Sequence, residues 1–227
     1  MIVQILDETD PVRRYSELFR RTSQSIRNKF TYESPSTTAE LIKIIATVKP
    51  DIVVIDGHGR YDQTNDVVHL LVGKQWVNFD TLLSSPPIAP LWIISACDMA
   101  VSEAFRGCAA RSLLSRGAYA VIATLDRVDA FIASILVGRL LTEVYQPGNP
   151  TEGRTLADAF FLTQVTTALL YDPLLPLFRQ SEIDPAIKPA LGLALAGILS
   201  WGNAQRMELE EYRHGFAERI AYGAAKT

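Results

Sequence analysis

The chain has 227 residues, 48% of them hydrophobic and 21% charged, and its formal net charge is −3. This composition excludes a mainly disordered chain and, without a basic block, leaves nucleic-acid binding without electrostatic support. Two cysteines are too few for a disulfide framework or a cysteine-rich zinc site, so we expect reduced thiols, no metal or other cofactor, and a cytoplasmic protein. The first residues lack a signal-peptide pattern and the apolar stretch 190–201 is too short to cross a bilayer, so no membrane partner is expected.

Apolar strand-like runs alternate with amphipathic helical segments, and this alternation predicts an α/β fold with a mostly parallel sheet. In chain order, the first half is predicted to contain a strand at 2–6, a helix from Pro11 to about Asn28, a strand at 30–33, a helix capped by Thr37 or Thr38, and a strand at 52–55. The last strand consists of four consecutive β-branched residues, which is typical of a strand buried on both faces.

The second half continues this alternation. Two strand-like runs flank Gly73-Lys74 and predict a β-hairpin. The elements predicted next are a short helix from Asp80, a strand at 91–95, a helix at 102–115, a strand at 118–124, and helices at 129–145, 155–169, 186–201 and 204–222. No flexible linker separates the last two helices from the rest, so we divide the chain into a main domain, 1–170, and a helical extension, 171–227, packed on the same domain.

Two reactive side chains follow predicted strands. His58 comes after the strand at 52–55 and Cys97 after the strand at 91–95. Ligands of parallel α/β sheets bind at the carboxyl ends of the strands, so these side chains meet if the two strands are neighbours. An imidazole can take the proton of a thiol and make it a nucleophile, and the amides of a helix following Cys97 would stabilise negative charge. Gly57 and Gly59 allow close approach of a substrate, and the amides of Gly59 and Cys97 are candidate oxyanion donors.

Other cysteine and phosphate chemistries fit the sequence less well. A Cys-x5-Arg phosphate loop fails because Glu103 occupies the arginine position. The surround Ser-Ala-Cys-Asp-Met lacks the glycines of a nucleophile elbow, and the sequence contains neither a Walker A motif nor GxGxxG. A thiol and imidazole pair therefore remains the favoured chemistry.

Several motifs in order resemble one family. They are "DIVVIDGHG" at 51–59, the hairpin "VHLLVGKQWVNFDTLL" at 68–83, "APLWIISACDMA" at 89–100, "ARSLLSRGAYAVIATLDRVDA" at 110–130 and "LADAF" at 156–160. Together they resemble the CHAT branch of the caspase-like (clan CD) cysteine peptidases over roughly residues 1–170. Each motif alone is weak, and their common order and spacing carry the resemblance.

The resemblance implies a caspase–haemoglobinase-like three-layer sandwich, with extra C-terminal helices, that hydrolyses peptide bonds. It makes Cys97 the nucleophile and His58 the general acid and base, with the amides of Gly59 and Cys97 as the oxyanion hole. No third catalytic residue is required in this family. Asp56, two positions before His58, is a candidate for orienting the imidazole.

The sequence departs from the family near the expected substrate pocket. Asp98-Met99-Ala100 follows the nucleophile where many relatives carry Glu-Thr or Glu-Ser and a glycine, and Leu125-Asp126 replaces a strand-end Trp. An acidic group at a strand end would favour Arg or Lys at P1, the substrate residue before the scissile bond. The candidates are Asp7, Glu8, Asp98, Asp126 and Asp129. The alternative is that these acids are solvated helix caps, as Asp129 in particular could be.

The favoured function is thus a cysteine endopeptidase of regulated proteolysis, with a protein or peptide substrate and a regulatory protein partner or activating ligand. One alternative is a catalytically silent interaction module that keeps the fold. Another is a small-molecule cysteine hydrolase or acyltransferase, which shares the chemistry.

Overall fold

The computed structural model describes residues 1–6, 8–16, 30–82, 84, 88–100, 108–145, 155–161, 163–164 and 167. The strands in this part of the chain are β1 (Ile2–Gln4), β2 (Tyr32–Glu33), β3 (Ile52–Asp56), β4 (Gly59–Asp62), β5 (Val67–Val72), β6 (Gln75–Asn78), β7 (Leu91–Ser95) and β8 (Ala120–Ala123). The helices are α1 (Thr38–Val48), α2 (Phe79–Leu82), α3 (Ala109–Ser115) and α4 (Ala130–Tyr145), and residues 156–161 are also helical.

Five strands form the central sheet in the order β2-β1-β3-β7-β8, and every neighbouring pair is parallel. The prediction of an α/β fold with a mostly parallel sheet is therefore confirmed. β3 is the middle strand, and its β-branched side chains are buried on both faces: Val53 and Ile55 belong to one apolar cluster, whereas Ile52 and Val54 belong to another. This alternation follows from the pleat, which points successive side chains to opposite faces.

Each apolar cluster is completed by different elements. The cluster of Val53 and Ile55 includes Leu41 and Ile45 of α1 and also buried residues of β5, α2 and α3. The cluster of Ile52 and Val54 includes Leu140 and Leu141 of α4, with residues of the segment 156–161 packed against it. The sheet is thus covered on both sides, an arrangement compatible with a three-layer sandwich.

The start of α1 is set by its local sequence. The hydroxyl of Thr37 accepts a hydrogen bond from the backbone N–H of Glu40 at 3.2 Å, and the Glu40 carboxylate accepts one from the backbone N–H of Ser36 at 2.9 Å. Both bonds satisfy N–H groups at or just before the helix start, as in a capping box. Of the two predicted caps, Thr37 is the one used.

The predicted hairpin is confirmed as β5 and β6, joined through Gly73 with a φ of +61°. β4 adds a third antiparallel strand that was not predicted; it pairs with β5 and begins directly after His58. The backbone N–H of Leu71 donates to the His58 carbonyl at 2.9 Å. This small sheet therefore fixes the backbone that carries His58.

The remaining elements agree with the sequence where the structure describes them. The predicted helices at 129–145 and 102–115 correspond to α4 and α3, although residues 101–107 lie outside the described part. Residues 13–16 are helical at the start of the predicted 11–28 helix, and 17–29 are not described. The extension 171–227, with its two predicted helices, lies wholly outside the described residues. Among described helices, none has the length and apolar character needed to span a membrane.

Candidate active site

Adjacent strands bring His58 and Cys97 to one edge of the sheet. β3 and β7 are parallel neighbours, and Asp56 at the end of β3 lies opposite Ser95 at the end of β7. The backbone N–H of Gly57 donates to the Ser95 carbonyl at 3.1 Å, which extends the pairing by one residue. His58 and Cys97 each follow the last residue of their strand by two positions. This equal spacing places both at the carboxyl edge of the sheet, where parallel α/β sheets bind their ligands.

Both reactive side chains line one cavity of about 330 Å³. The described residues of its wall are Val12, Asp56, Gly57, His58, Ser95, Ala96, Cys97, Val128, Ala130 and Ala133. Cys97 is a free, half-buried thiol, and its Sγ lies 4.0 Å from the Val128 carbonyl oxygen. His58 and Cys97 therefore border the same cavity.

The loop after Cys97 is held by contacts on both sides. Asp98 has a φ of +57°, in the left-handed region that aspartate tolerates better than most residues, and Met99 is fully buried. The backbone N–H of Ala100 donates to the Thr124 carbonyl at 2.8 Å, and the Thr124 hydroxyl donates to the Ala96 carbonyl. Residues 97–100 form turns, and the next described helix starts at Ala109. Support of Cys97 by a helix immediately after it is therefore not seen in the described residues.

Gly59 lies against the nucleophile loop. A Cβ added at this position would collide with the Cys97 carbonyl oxygen and lie 2.8 Å from the Met99 sulfur. Close packing therefore requires a glycine here. The described cavity wall includes Gly57 but not Gly59, and the predicted role of the Gly59 amide as an oxyanion donor stays a prediction.

The structure places Asp10, and not Asp56, against the imidazole. The Nε2 atom of His58 lies 2.6 Å from Oδ2 of Asp10, and the two side chains are 36% and 14% exposed. Oδ1 of Asp10 accepts a hydrogen bond from the backbone N–H of Val12 at 2.9 Å, which fixes the carboxylate. This contact has no local signal in the sequence: Asp10 before Pro11 is a recognisable helix-start residue, but nothing nearby links it to a histidine 48 positions later.

Asp56 has different partners. Its Oδ2 accepts hydrogen bonds from the Gln4 amide at 3.4 Å and from the Ser16 hydroxyl. Burial raises the pKa of Asp56 above the ordinary value of an aspartic acid, while the bonds from Ser16 and Gln4 and the positive charge of His58 oppose that shift. Asp56 is thus an acid in the cavity wall that makes no described hydrogen bond to His58.

Four of the five acids predicted for substrate selection belong to the described part of the chain. Asp129 caps α4, because its carboxylate accepts from the backbone N–H groups of Phe131 and Ile132. Glu8 and Asp126 are exposed, Asp98 is half-buried, and Asp7 lies outside the described residues. The described wall of the cavity contains none of these residues.

The other cysteine and a second histidine lie apart from the cavity. Cys108 is buried just before α3, with its Sγ 3.8 Å from the Met99 carbonyl oxygen, and His69 lies in β5. Within the described part of the chain, no group of three or more histidine, cysteine or acidic side chains is placed to hold a metal ion.

Comparison with known proteins adds no family. No model of a protein family matches the chain, and no curated protein matches its sequence. Function is therefore inferred from the geometry of the site and from the motifs in the sequence.

Proposed function

We propose that the protein is a cysteine endopeptidase with a caspase-like fold, in which Cys97 is the nucleophile and His58 the general acid and base. The observation that carries this proposal is the shared cavity: two adjacent parallel strands end in register, and the thiol and imidazole that follow them line the same wall. The resemblance of the quoted motifs to CHAT peptidases supports peptides as the substrate class.

The contact of His58 with Asp10 assigns a role to each ring nitrogen. Because Nε2 is held by the Asp10 carboxylate, Nδ1 is the nitrogen left to exchange a proton with the reacting groups. His58 takes the proton of the Cys97 thiol, and the resulting thiolate attacks the carbonyl carbon of the scissile bond and forms a C–S bond. The C–N bond then breaks as His58 protonates the leaving amine. His58 next deprotonates a water molecule, which hydrolyses the thioester and releases the acid and the thiol.

Asp10 acts in this scheme as a positioning residue. Its second oxygen is bound to the backbone of Val12, so its orientation does not depend on the substrate. A carboxylate fixed against Nε2 holds the ring in one tautomer and stabilises the imidazolium that forms. The amides of Gly59 and Cys97 are proposed to bind the oxyanion, and a regulatory partner or ligand in the cytoplasm to activate the enzyme.

Labelling of the thiol tests the proposal. We expect an iodoacetamide probe to label Cys97, the labelling rate to fall at least about 10-fold in His58→Ala, and labelling to vanish in Cys97→Ser. Cys108→Ser is the matched control and should label like the wild type, because Cys108 is buried. The same proteins are then incubated with a peptide library and with small esters.

Each outcome of this experiment separates the candidate functions. Cys97-dependent cleavage of peptides supports the endopeptidase. Cleavage of esters without peptides indicates a small-molecule hydrolase. Equal labelling in the wild type and His58→Ala, with no cleavage of either substrate, would contradict a catalytic pair and favour an interaction module.

A further inference from the structure

A single acid, Asp56, is among the described wall residues of the cavity. The other described positions apart from His58, Ser95 and Cys97 are glycine or small apolar residues. The catalytic scheme makes no use of this acid, because Asp10 already holds the imidazole. The presence of Asp56 in the cavity wall is therefore not explained by the orientation of His58.

The Asp56 carboxylate is anchored on one oxygen. Gln4 and Ser16 both donate to Oδ2, and no described residue donates to Oδ1. The backbone is also fixed, since Asp56 ends the central strand and its carbonyl accepts from the N–H of Ile5 at 3.0 Å. A fixed carboxylate whose Oδ1 receives no hydrogen bond from a described residue can accept one from a ligand.

The surroundings of Asp56 favour a cationic ligand. Burial disfavours the ionised form of Asp56 and raises its pKa, and the imidazole of His58 already lies against Asp10. A lysine or arginine head group in the cavity would supply the missing counter-charge through a charge-assisted hydrogen bond. Neutral or acidic side chains would leave this carboxylate without a counter-charge.

The size and walls of the cavity fit one long side chain. A volume of about 330 Å³ lies at the lower end of the range for small-ligand pockets, which is about 300–1,000 Å³. Val12, Val128 and Ala133 offer apolar surface to the methylene stem of lysine or arginine. The charged head would then reach the acid at the end of β3.

We propose that this cavity binds the substrate side chain immediately before the scissile bond and that Asp56 selects lysine or arginine there. The inference rests on the proposed function, since it takes Cys97 as the nucleophile. It assigns the selection of this side chain to an acid of the described cavity wall that was not among the five candidates predicted from the sequence.

Peptides that differ only at the selected position test this inference. They carry Arg, Lys, citrulline, Met or Asp before a fluorogenic leaving group, and kcat/KM is measured for the full-length wild type, Asp56→Asn and Asp56→Glu. We expect the wild type to prefer Arg or Lys over citrulline or Met by at least about 100-fold. Asp56→Asn should lose this preference, and Asp56→Glu should retain part of it because the charge remains. Asn still offers an acceptor to Gln4 and Ser16, so folding should be preserved.

Asp51→Asn is the matched control, because Asp51 is an exposed acid next to the other end of the same strand. It should leave the preference unchanged. Cleavage that depends on Cys97 but favours no cation in the wild type would overturn the inference and leave the endopeptidase standing. A cation preference that survives in Asp56→Asn would overturn the role of Asp56. Absence of any Cys97-dependent cleavage would overturn the proposed function and this inference together.

Discussion

The two ends of the parallel sheet differ in how close their polar and strained groups lie to the reactive side chains. At the amino end, Asp51 is exposed just before β3. Backbone hydrogen bonds join the starts of the strands there: the N–H of Leu91 donates to the Asp51 carbonyl, and the N–H of Tyr119 donates to the Pro90 carbonyl. At the carboxyl end, Asp56 has a pKa raised by burial, and Asp98 takes a left-handed conformation. Both arrangements oppose stability, and both occur within two residues of His58 or Cys97.

The amino end also has unfavourable groups, since Lys49 has a left-handed φ of +47° and burial lowers the pKa of the Met1 amino group. What distinguishes the carboxyl end is that its unfavourable groups lie beside His58 and Cys97. Natural proteins retain locally unfavourable groups mainly where activity requires them. Substitutions at the carboxyl end should therefore change activity, whatever they do to stability, while substitutions at the amino end should leave activity per folded molecule unchanged.

The largest expected effect concerns Asp10. Asp10→Asn removes the charge held 2.6 Å from Nε2 of His58. We expect kcat to fall about 100-fold for every peptide, near the lower end of the contribution of general acid and base catalysis, while KM changes little. Asp56→Asn should instead lower kcat/KM for cationic peptides alone. Steady-state kinetics on the Arg and Met peptides distinguish these patterns, and Asp51→Asn is again the control.

A purely structural role for Asp10 would give a different result. If Asp10 only accepted the hydrogen bond from the Val12 N–H, its loss would reduce the amount of folded protein, and kcat per folded molecule would not fall. Asn can still accept the bond from Val12, so circular dichroism should show a folded variant. An unchanged kcat in that folded variant contradicts the positioning role.

The next largest effect is expected for alanine substitution of two glycines that lie near opposite ends of the sheet. Gly59→Ala places a methyl group against the Cys97 carbonyl and the Met99 sulfur, so we expect a loss of about 2 kcal/mol in stability together with at least 10-fold lower activity per folded molecule. Gly117 precedes β8 with a φ of +103° and has open space around it. Gly117→Ala should cost about 1 kcal/mol through backbone strain alone and leave activity intact.

Urea unfolding and active-site titration measure the two quantities separately. If Gly117→Ala lowers activity per folded molecule as much as Gly59→Ala does, general destabilisation explains both variants, and the close packing of Gly59 on the nucleophile loop has no special role.

Much of this arrangement could be predicted because it depends on local patterns. The β-branched run of β3 and the apolar run of β7 predict two buried strands, and the strand-end rule then places His58 and Cys97 on one edge. The pairing of β4 could not be predicted, since Gly-Arg-Tyr-Asp has no strand pattern and extends along β5 only because β5 is already there. Which acid meets the imidazole depends on how residues 10–16 fold back over the edge, and no short-range signal encodes a contact across 48 positions.

The smallest expected effect is the pH dependence of stability in Asp56→Asn. Because the folded pKa of Asp56 is raised, the folded protein keeps this proton over a pH range in which the unfolded chain has released it. The free energy of unfolding therefore falls as the pH rises from the ordinary value of an aspartate, about 3.9, through the raised folded value, and it stays lower above that range. Asparagine does not titrate, so the variant lacks this decline.

At pH 7 we expect Asp56→Asn to be more stable than the wild type by on the order of 1 kcal/mol, because pH 7 lies above the ordinary aspartate value and the wild type has by then lost stability through this linkage. Below about pH 3.9 the difference should shrink, because both side chains are then neutral. Asp51→Asn should lie within about 0.5 kcal/mol of the wild type at both pH values, since Asp51 is exposed. Urea unfolding at pH 7 and pH 3.5 provides the measurement. If Asp56→Asn is less stable than the wild type at pH 7, the hydrogen bonds from Gln4 and Ser16 stabilise the folded protein more than the burial of Asp56 destabilises it. The contrast between the two ends of the sheet would then not include Asp56.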